Sequence, residues 1–375
     1  MIRIDTIEVR CVNIKIVLFV PLNEVIMDIR AEKPIDVLIL AIPETAGSAL
    51  YGMVDVLSAT GNLWQTLVRS NDETKRFKVK IVSTLDRAFT CGNGIPVHPQ
   101  AFIEDDPPAK IIILPEIWLG PDESIHGRYP GLVEWIRRKY REGAELYSAC
   151  SGSILLAETG LLDGRSATSH WGYEDMFRRN YPRVNFDASA NLLYADHTGR
   201  IVTAGGTTSW HDLALHIIAR HASPGDALQI AKVYLLKWHP EGQLPYTGLV
   251  RRAPHADSVV KECEYWLSQH YREMDAIKHL VNLNEVPERS LKRRFKAATG
   301  NTLIGHLQNL RIEESKRLLE QEDLPIEEVS EEVGYMDISF FRRLFKRLTG
   351  LSPGQYRRMF KSGTEIGDKP RLCDR

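Results

Sequence analysis

Two stretches near the C-terminus, Val281–Gly300 and Val329–Gly350, carry one frame twice. The first reads VNLNEVPERSLKRRFKAATG and the second VSEEVGYMDISFFRRLFKRLTG. Aligned on their ends, Leu291 matches Phe341, Arg293 matches Arg343, Phe295 matches Phe345, Lys296 matches Lys346 and Gly300 matches Gly350. Apolar residues four apart share one face of a helix, so Leu291 with Phe295, and Phe341 with Phe345, predict the buried sides. Arg289, Lys292, Arg293 and Lys296 then project outward from the first helix, and Ser339, Arg342, Arg343 and Lys346 from the second. A single basic run is most often a solvated face. A basic helix behind a short helix and a turn, present twice, has the geometry to enter two successive major grooves of DNA.

Between the copies, LIGHLQNLRIEESKRLLE (residues 303–320) repeats leucine at helical spacing. A helix of that length spans roughly 27 Å at 1.5 Å per residue, which suits a spacer between recognition helices about 34 Å apart. Arginine can read a guanine edge with two hydrogen bonds, whereas either basic residue can neutralise phosphate.

The segment Ile277–Phe360 resembles the AraC/XylS DNA-binding domain, most strongly over EEVSEEVGYMDISFFRRLFKRLTGLSPGQYRRMF. The second unit fits that pattern almost throughout. The first departs from it, with Glu285 at the turn and Pro287 where a capping serine is usual. Proline is tolerated in the first turn of a helix, so the helix is expected to survive with an altered entry. The resemblance implies that Arg289, Lys292, Arg293, Ser339, Arg342 and Arg343 face bases, and that Lys296 and Lys346 touch phosphate.

At 375 residues the chain has room for two or three domains. A net charge of -1 excludes a broadly basic binder, which disfavours a nucleoid-like architectural role; any affinity for nucleic acid must be local. Five scattered cysteines (Cys11, Cys91, Cys150, Cys263, Cys373) show no metal-binding spacing and fit a reducing cytoplasm. No metal or cofactor is expected, and no membrane span, since no apolar run approaches 20 residues. Residues 1–33 form an uncertain extension without a secretory cleavage pattern, and Met27 is an alternative start.

From Ile35, apolar strands (35–42, 77–84, 109–116, 144–150, 200–205) alternate with helices at Leu50–Leu63, Tyr129–Glu142, Ser153–Glu158 and Trp210–Ile218. Unbroken apolar strands alternating with helices predict an α/β doubly wound sheet covered on both faces. The expected domains are 34–243 (α/β), a turn-rich linker at 244–256, an all-α domain at 257–360 with two helix-turn-helix units, and a disordered tail at 361–375.

Cys150 ends a predicted strand and leads through Ser151-Gly152-Ser153 into a helix. A sharp strand-to-helix turn presents a thiol near a helix N-terminus, where dipole and amides are expected to lower its pKa. The commoner fate of a lone cysteine is a small buried core residue. Residues 146–171, LYSACSGSILLAETGLLDGRSATSHW, with GGTTSWHDLALHII at 205–218, resemble the PfpI/ThiJ (class I glutamine-amidotransferase-like) superfamily, and within it the GlxA-type regulators. The likeness covers roughly Asp36 to Gln243 and implies a flavodoxin-like fold.

In catalytic relatives an acidic residue early in the first helix assists the cysteine; here that position is Ala49, so a vestigial nucleophile is expected. The Pro-Gly-Gly that supplies backbone donors is here Pro115-Glu116-Ile117. Ligand candidates are the residues at the carboxyl edge of the sheet: Glu116, Trp118, Cys150, His170, Trp171 and Trp210. Three tryptophans near one acid predict a cage for a cationic effector, and the resemblance implies amino acids or quaternary amines. Individually these tryptophans read equally well as packing or interface residues.

The resulting expectation is a cytoplasmic, homodimeric activator that binds promoter DNA, responds to a small nitrogen-containing metabolite and contacts RNA polymerase. The alternative is an active cysteine hydrolase or lyase fused to a DNA-binding domain; fast alkylation near neutral pH would favour it.

Overall fold

The computed structural model describes residues 33–364 except 71–73, 121–122 and 249–254. The expected extension, apart from Lys33, lies outside the described residues, as does the tail beyond Thr364. The first strand, β1 (Ile35–Ala41), alternates between two cores, with Leu38 and Leu40 facing one and Val37 and Ile39 the other. A strand buried on both sides shows no apolar-polar alternation, which is why these runs are unbroken. Helix α1 (Gly47–Ser58) follows, then α2 (Leu63–Leu67), β2 (Phe77–Ser83), the hairpin β3 (Phe89–Cys91) and β4 (Ile95–Val97), and β5 (Ala101–Phe102). Next come β6 (Ile111–Leu114), α3 (Pro130–Arg141), β7 (Glu145–Ala149), α4 (Gly152–Glu158) and β8 (Ser166–Ala167). The α/β part closes with α5 (Glu174–Asn180), β9 (Asn185–Phe186), β10 (Leu192–Tyr194), β11 (Ile201–Ala204), α6 (Ser209–His221) and α7 (Pro224–Tyr234).

The main sheet runs β10-β11-β7-β6-β1-β2-β5, parallel except for β10. Helices α3, α4 and α5 cover one face, and α1, α6 and α7 the other. The expected helix Leu50–Leu63 is instead two helices. Gly61 breaks it with φ +83°, and a Cβ there would lie 2.0 Å from the Thr74 carbonyl oxygen.

The remaining elements are helical: α8 (Ser258–His270), α9 (Ala276–Leu283), α10 (Glu288–Thr299), α11 (Leu303–Gln321), α12 (Ile326–Glu332), α13 (Ile338–Thr349) and α14 (Pro353–Thr364). Helix α14 runs four residues into the expected tail. Helices α9–α10 and α12–α13 are the two helix-turn-helix units, and each has its own core. Leu291 and Phe295 pack with Val260, Leu267 and Leu307, whereas Phe341 and Phe345 pack with Ile312, Leu319 and Tyr356.

Helix α11 joins the units through Arg311, which is 5 % exposed. Its guanidinium donates to the carbonyls of Tyr271 (2.7 Å), Glu273 (2.7 Å) and Gly334 (2.9 Å) and lies over the Tyr335 ring. Read from sequence alone, Arg311 is one more basic residue on the spacer. Its three carbonyl partners make it a clamp between the segment leading into the first unit and the turn of the second. Of the expected linker, Leu244–Tyr246 form a 3-10 turn packed against α13 and α14.

Candidate functional site

The strand β7 ends in a left-handed residue, Cys150, with φ +52°. A non-glycine residue held there marks an over-determined turn. Gly152 makes the turn fit, because a Cβ would sit 2.1 Å from the Leu114 carbonyl oxygen at the end of neighbouring β6. Ser151 locks the same junction by donating to the Ile117 carbonyl (2.5 Å) and accepting from the Ile117 amide (2.9 Å). That bond occupies the amide of Ile117, in the Pro115-Glu116-Ile117 stretch that replaces the Pro-Gly-Gly of the family pattern.

The thiol meets an acid, and it is Glu116 of the expected ligand group rather than a residue at the α1 position where the family pattern places a catalytic acid. Ala49 is buried in α1. Glu116, in the loop after β6, accepts from Cys150 Sγ at 3.6 Å and from Thr207 Oγ1 at 3.2 Å on the same oxygen, Oε1. Glu116 is 6 % exposed, and its Oε2 is buried with no hydrogen-bond partner. Burial raises the Glu116 carboxyl above its usual range against the opposing pull of Thr207 and Cys150. Burial, reinforced by the Glu116 charge, pushes the Cys150 thiol up to about 12. The expected dipole-lowered thiol is thus corrected: desolvation of a 1 % exposed sulfur outweighs the helix end.

His170 does not reach the thiol. Its Nδ1 accepts from the Gly172 amide at 3.0 Å, and burial lowers its pKa. The Trp171 ring lies 4.9 Å from that of His170, tilted by 30°. Tyr173 meets the His170 ring edge-on, and its hydroxyl donates to the Leu119 carbonyl. The other two tryptophans have different surroundings. Trp118, 54 % exposed, lies over Gly92, where a Cβ would come within 2.5 Å of its ring. Trp210 covers Gly52 of α1 in the same manner and lines a cleft of about 600 Å³ with Asp55, Tyr234, Lys237 and His239. The elbow therefore unites Glu116, Cys150 and Thr207 near the His170–Tyr173 loop, and the tryptophans occupy three settings. Thr207 was missed from sequence, although it sits in the motif quoted at 205–218.

In the helical domain, Arg289, Lys292, Arg293 and Lys296 on α10 are exposed, as are Ser339, Arg342, Arg343 and Lys346 on α13. Lys292 pairs with Glu288 and Arg342 with Glu327, both at exposed sites. Among the described residues, Arg289, Arg293, Lys296, Arg343 and Lys346 make no ion pair within the chain. Arg294, next to exposed Arg293, instead grips Asp257 at the start of α8 at 2.8 and 2.9 Å.

No described helix is long and apolar enough to cross a membrane. An α/β domain with a cysteine elbow, followed by two helix-turn-helix units, defines a DNA-binding regulator with an enzyme-like domain. The DJ-1/PfpI family matches residues 36–220, and a helix-turn-helix domain matches 281–359. The chain is 30 % identical over 236 residues to the HTH-type transcriptional regulator CdhR of Pseudomonas aeruginosa, covering 63 % of this chain and 69 % of that one. It is 28 % identical over 225 residues to the regulator GlxA of Rhizobium meliloti (60 % and 68 %). It is 24 % identical over 319 residues to the regulator GbdR of P. aeruginosa, covering 83 % of each chain. The chain belongs to this family of HTH-type transcriptional regulators, with an AraC-type DNA-binding domain behind a DJ-1/PfpI domain.

Proposed function

We propose that the protein is a cytoplasmic one-component activator whose DJ-1/PfpI domain (34–243) senses a small nitrogen-containing metabolite and dimerises. In this reading α10 and α13 of the domain at 257–360 enter successive major grooves of promoter DNA. Arg289, Lys292, Arg293, Ser339, Arg342 and Arg343 face bases, Lys296 and Lys346 hold phosphate, and the bound dimer contacts RNA polymerase. The effector, an amino acid or quaternary amine, is received at the elbow around Glu116, Cys150 and His170, with Trp171 beside His170 as the candidate aromatic contact; Trp118 and Trp210, in separate settings, do not complete the expected three-tryptophan cage.

The observation that carries the sensing half is the buried Glu116 Oε2 without a partner. An unpaired buried acceptor costs free energy, which a cationic or N–H-bearing ligand would recover. A catalytic reading is less well supported. A thiol near 12 is protonated at neutral pH, and the Ile117 amide is already bonded.

The test is recovery of genomic fragments by the full-length protein at fixed salt, with and without amino acids and quaternary amines. A short set of enriched promoters is expected, with the set or its occupancy shifted by one effector class. Arg343→Ala should cost about 1–3 kcal/mol at those sites and relax preference at one base position. Diffuse, salt-sensitive recovery with no enriched site would refute the regulator reading.

A further inference from the structure

The two domains meet through a short strap, and one buried side chain holds its upstream end. Gln243 is 4 % exposed. Its Nε2 lies within donating distance of the carbonyls of Ala190 (2.8 Å) and Ser169 (2.9 Å) and of Thr168 Oγ1 (3.2 Å). Its Oε1 accepts from the Trp171 amide at 3.2 Å. Ser169 in turn donates to the Cys150 carbonyl at 2.8 Å, so these bonds reach the elbow itself. Two glycines make the approach possible. A Cβ on Gly205 would fall 2.4 Å from the Gln243 amide carbon, and one on Gly242, at φ +68°, 2.4 Å from the Ser189 carbonyl oxygen.

Immediately downstream the strap changes partners. Leu244 packs on Gly350, the residue that caps the C-terminus of α13. The Tyr246 ring meets Phe360 of α14 edge-on at 5.5 Å. The Thr247 carbonyl accepts from Lys316 Nζ of α11 at 2.6 Å, and that lysine is only 5 % exposed. The strap is also stiff within itself: Tyr246 N–H donates to the Gln243 carbonyl (2.9 Å) and Thr247 Oγ1 to the Leu244 carbonyl (2.8 Å). A movement of the His170–Tyr173 loop therefore has a bonded route to the end of the second recognition helix.

We propose that Gln243 is the positioning residue that couples the loop beside the Cys150 elbow to the orientation of α13. This rests on the regulator reading above and names the regulation of that site. An effector that displaces Trp171 or Ser169 alters the Gln243 bonds, and Leu244–Thr247 carry the change to α13 and α11. Coupling of this kind needs two arrangements that a ligand distinguishes, and the Gln243 hydrogen-bond set supplies the element to be switched.

The experiment uses the full chain with Gln243→Ala and Leu244→Ala, reading backbone amide exchange by mass spectrometry and affinity for a promoter fragment recovered by the wild type. Gln243→Ala is expected to speed exchange in the 168–173 loop, in 244–247 and at the α13 C-terminus. It should shift DNA affinity by about fivefold or more, the lower end of measured allosteric couplings. Leu244→Ala should leave the loop protected and still change α13 and DNA affinity. Faster exchange confined to the loop, with α13 and DNA affinity unchanged, would overturn the proposal. If Gln243→Ala does not fold, an unaltered α13 and DNA affinity in Leu244→Ala overturns it equally. Wild-type protein that recovers no promoter would instead sink the regulator reading, while the exchange data still decide the coupling.

Discussion

Helix α13 begins on Asp337, whose carboxylate accepts from the amides of Ser339 (2.8 Å) and Phe340 (3.0 Å). Helix α10 begins on Pro287, whose side chain accepts nothing. The cores differ in the same sense. Phe345 lies among the rings of Phe341 (5.8 Å) and Tyr356 (5.5 Å), whereas Phe295 meets one ring, His306, at 5.3 Å. Each unit also leans on a helix outside itself, the first through Val260, Cys263 and Leu267 of α8 and the Arg294–Asp257 pair, the second through Tyr356 of α14. Two copies of one frame thus present matching basic faces on unequal foundations. What the copies share concerns what they touch, and where they differ concerns how firmly each is held.

Core truncation is the strongest way to break this comparison. Phe345→Ala and Phe295→Ala should each cost about 3–5 kcal/mol, with Phe345 at the upper end because it loses more ring contacts. Amide exchange followed separately in α10 and α13 measures this, and a larger loss at Phe295 would reverse the ranking. Exchanging the caps sharpens it at smaller scale. Asp337→Ala should cost about 1 kcal/mol, and Pro287→Ser should gain roughly 0.5 kcal/mol by supplying the missing acceptor. Thermal unfolding of the two variants reads both signs, and a loss on Pro287→Ser would show that the proline's preset backbone matters more than a cap.

The smallest expected difference is with pH. Burial lowers the pKa of His306, which lies on α11 against Phe295 of the first unit, so its folded form resists the proton that the unfolded chain accepts near pH 6.5. That contribution is present above this value and is lost as pH falls below it. Residues 322–364, which include the second unit, contain no histidine. On acidification from pH 7 to 5, α10 should lose exchange protection before α13, and His306→Gln should narrow the gap.

Much of this architecture is legible from residue order alone. Strands β1 and β6 stand out because they are buried on both faces and their apolar runs are nearly continuous, whereas β2 carries Lys78 and Lys80 and β7 and β11 carry polar residues within apolar surroundings. Helix α7 was overlooked, although Ser223-Pro224 followed by Asp226 is a readable start: Ser223 Oγ accepts from the Asp226 amide at 3.0 Å. Strands β8 and β9 are two residues each, too short for any periodicity. All eight basic-face residues project as the frame predicts, because helical spacing fixes their direction.

The elbow was less readable. Sequence reasoning groups Glu116 and Cys150 at the sheet's carboxyl edge without showing their direct contact, which arises because β6 and β7 are parallel neighbours and the residues following them meet. Strand order would have exposed that pairing; spacing could not. Gln243 carries no local signal at all, since its bonds go to carbonyls that only the folded chain brings together.

The Arg311 clamp has a consequence for the DNA rather than for the protein. Because one guanidinium ties the segment entering α9 to the turn before α13, two helices reading DNA as proposed above would form a ruler of fixed gauge, ill suited to sites of varying separation. Each base pair inserted between the contacted positions moves them about 3.4 Å farther apart along the duplex. The misfit must be absorbed by bending or twisting the DNA, at a cost that depends on the intervening steps. On that reading, base pairs that no side chain touches would be brought under selection.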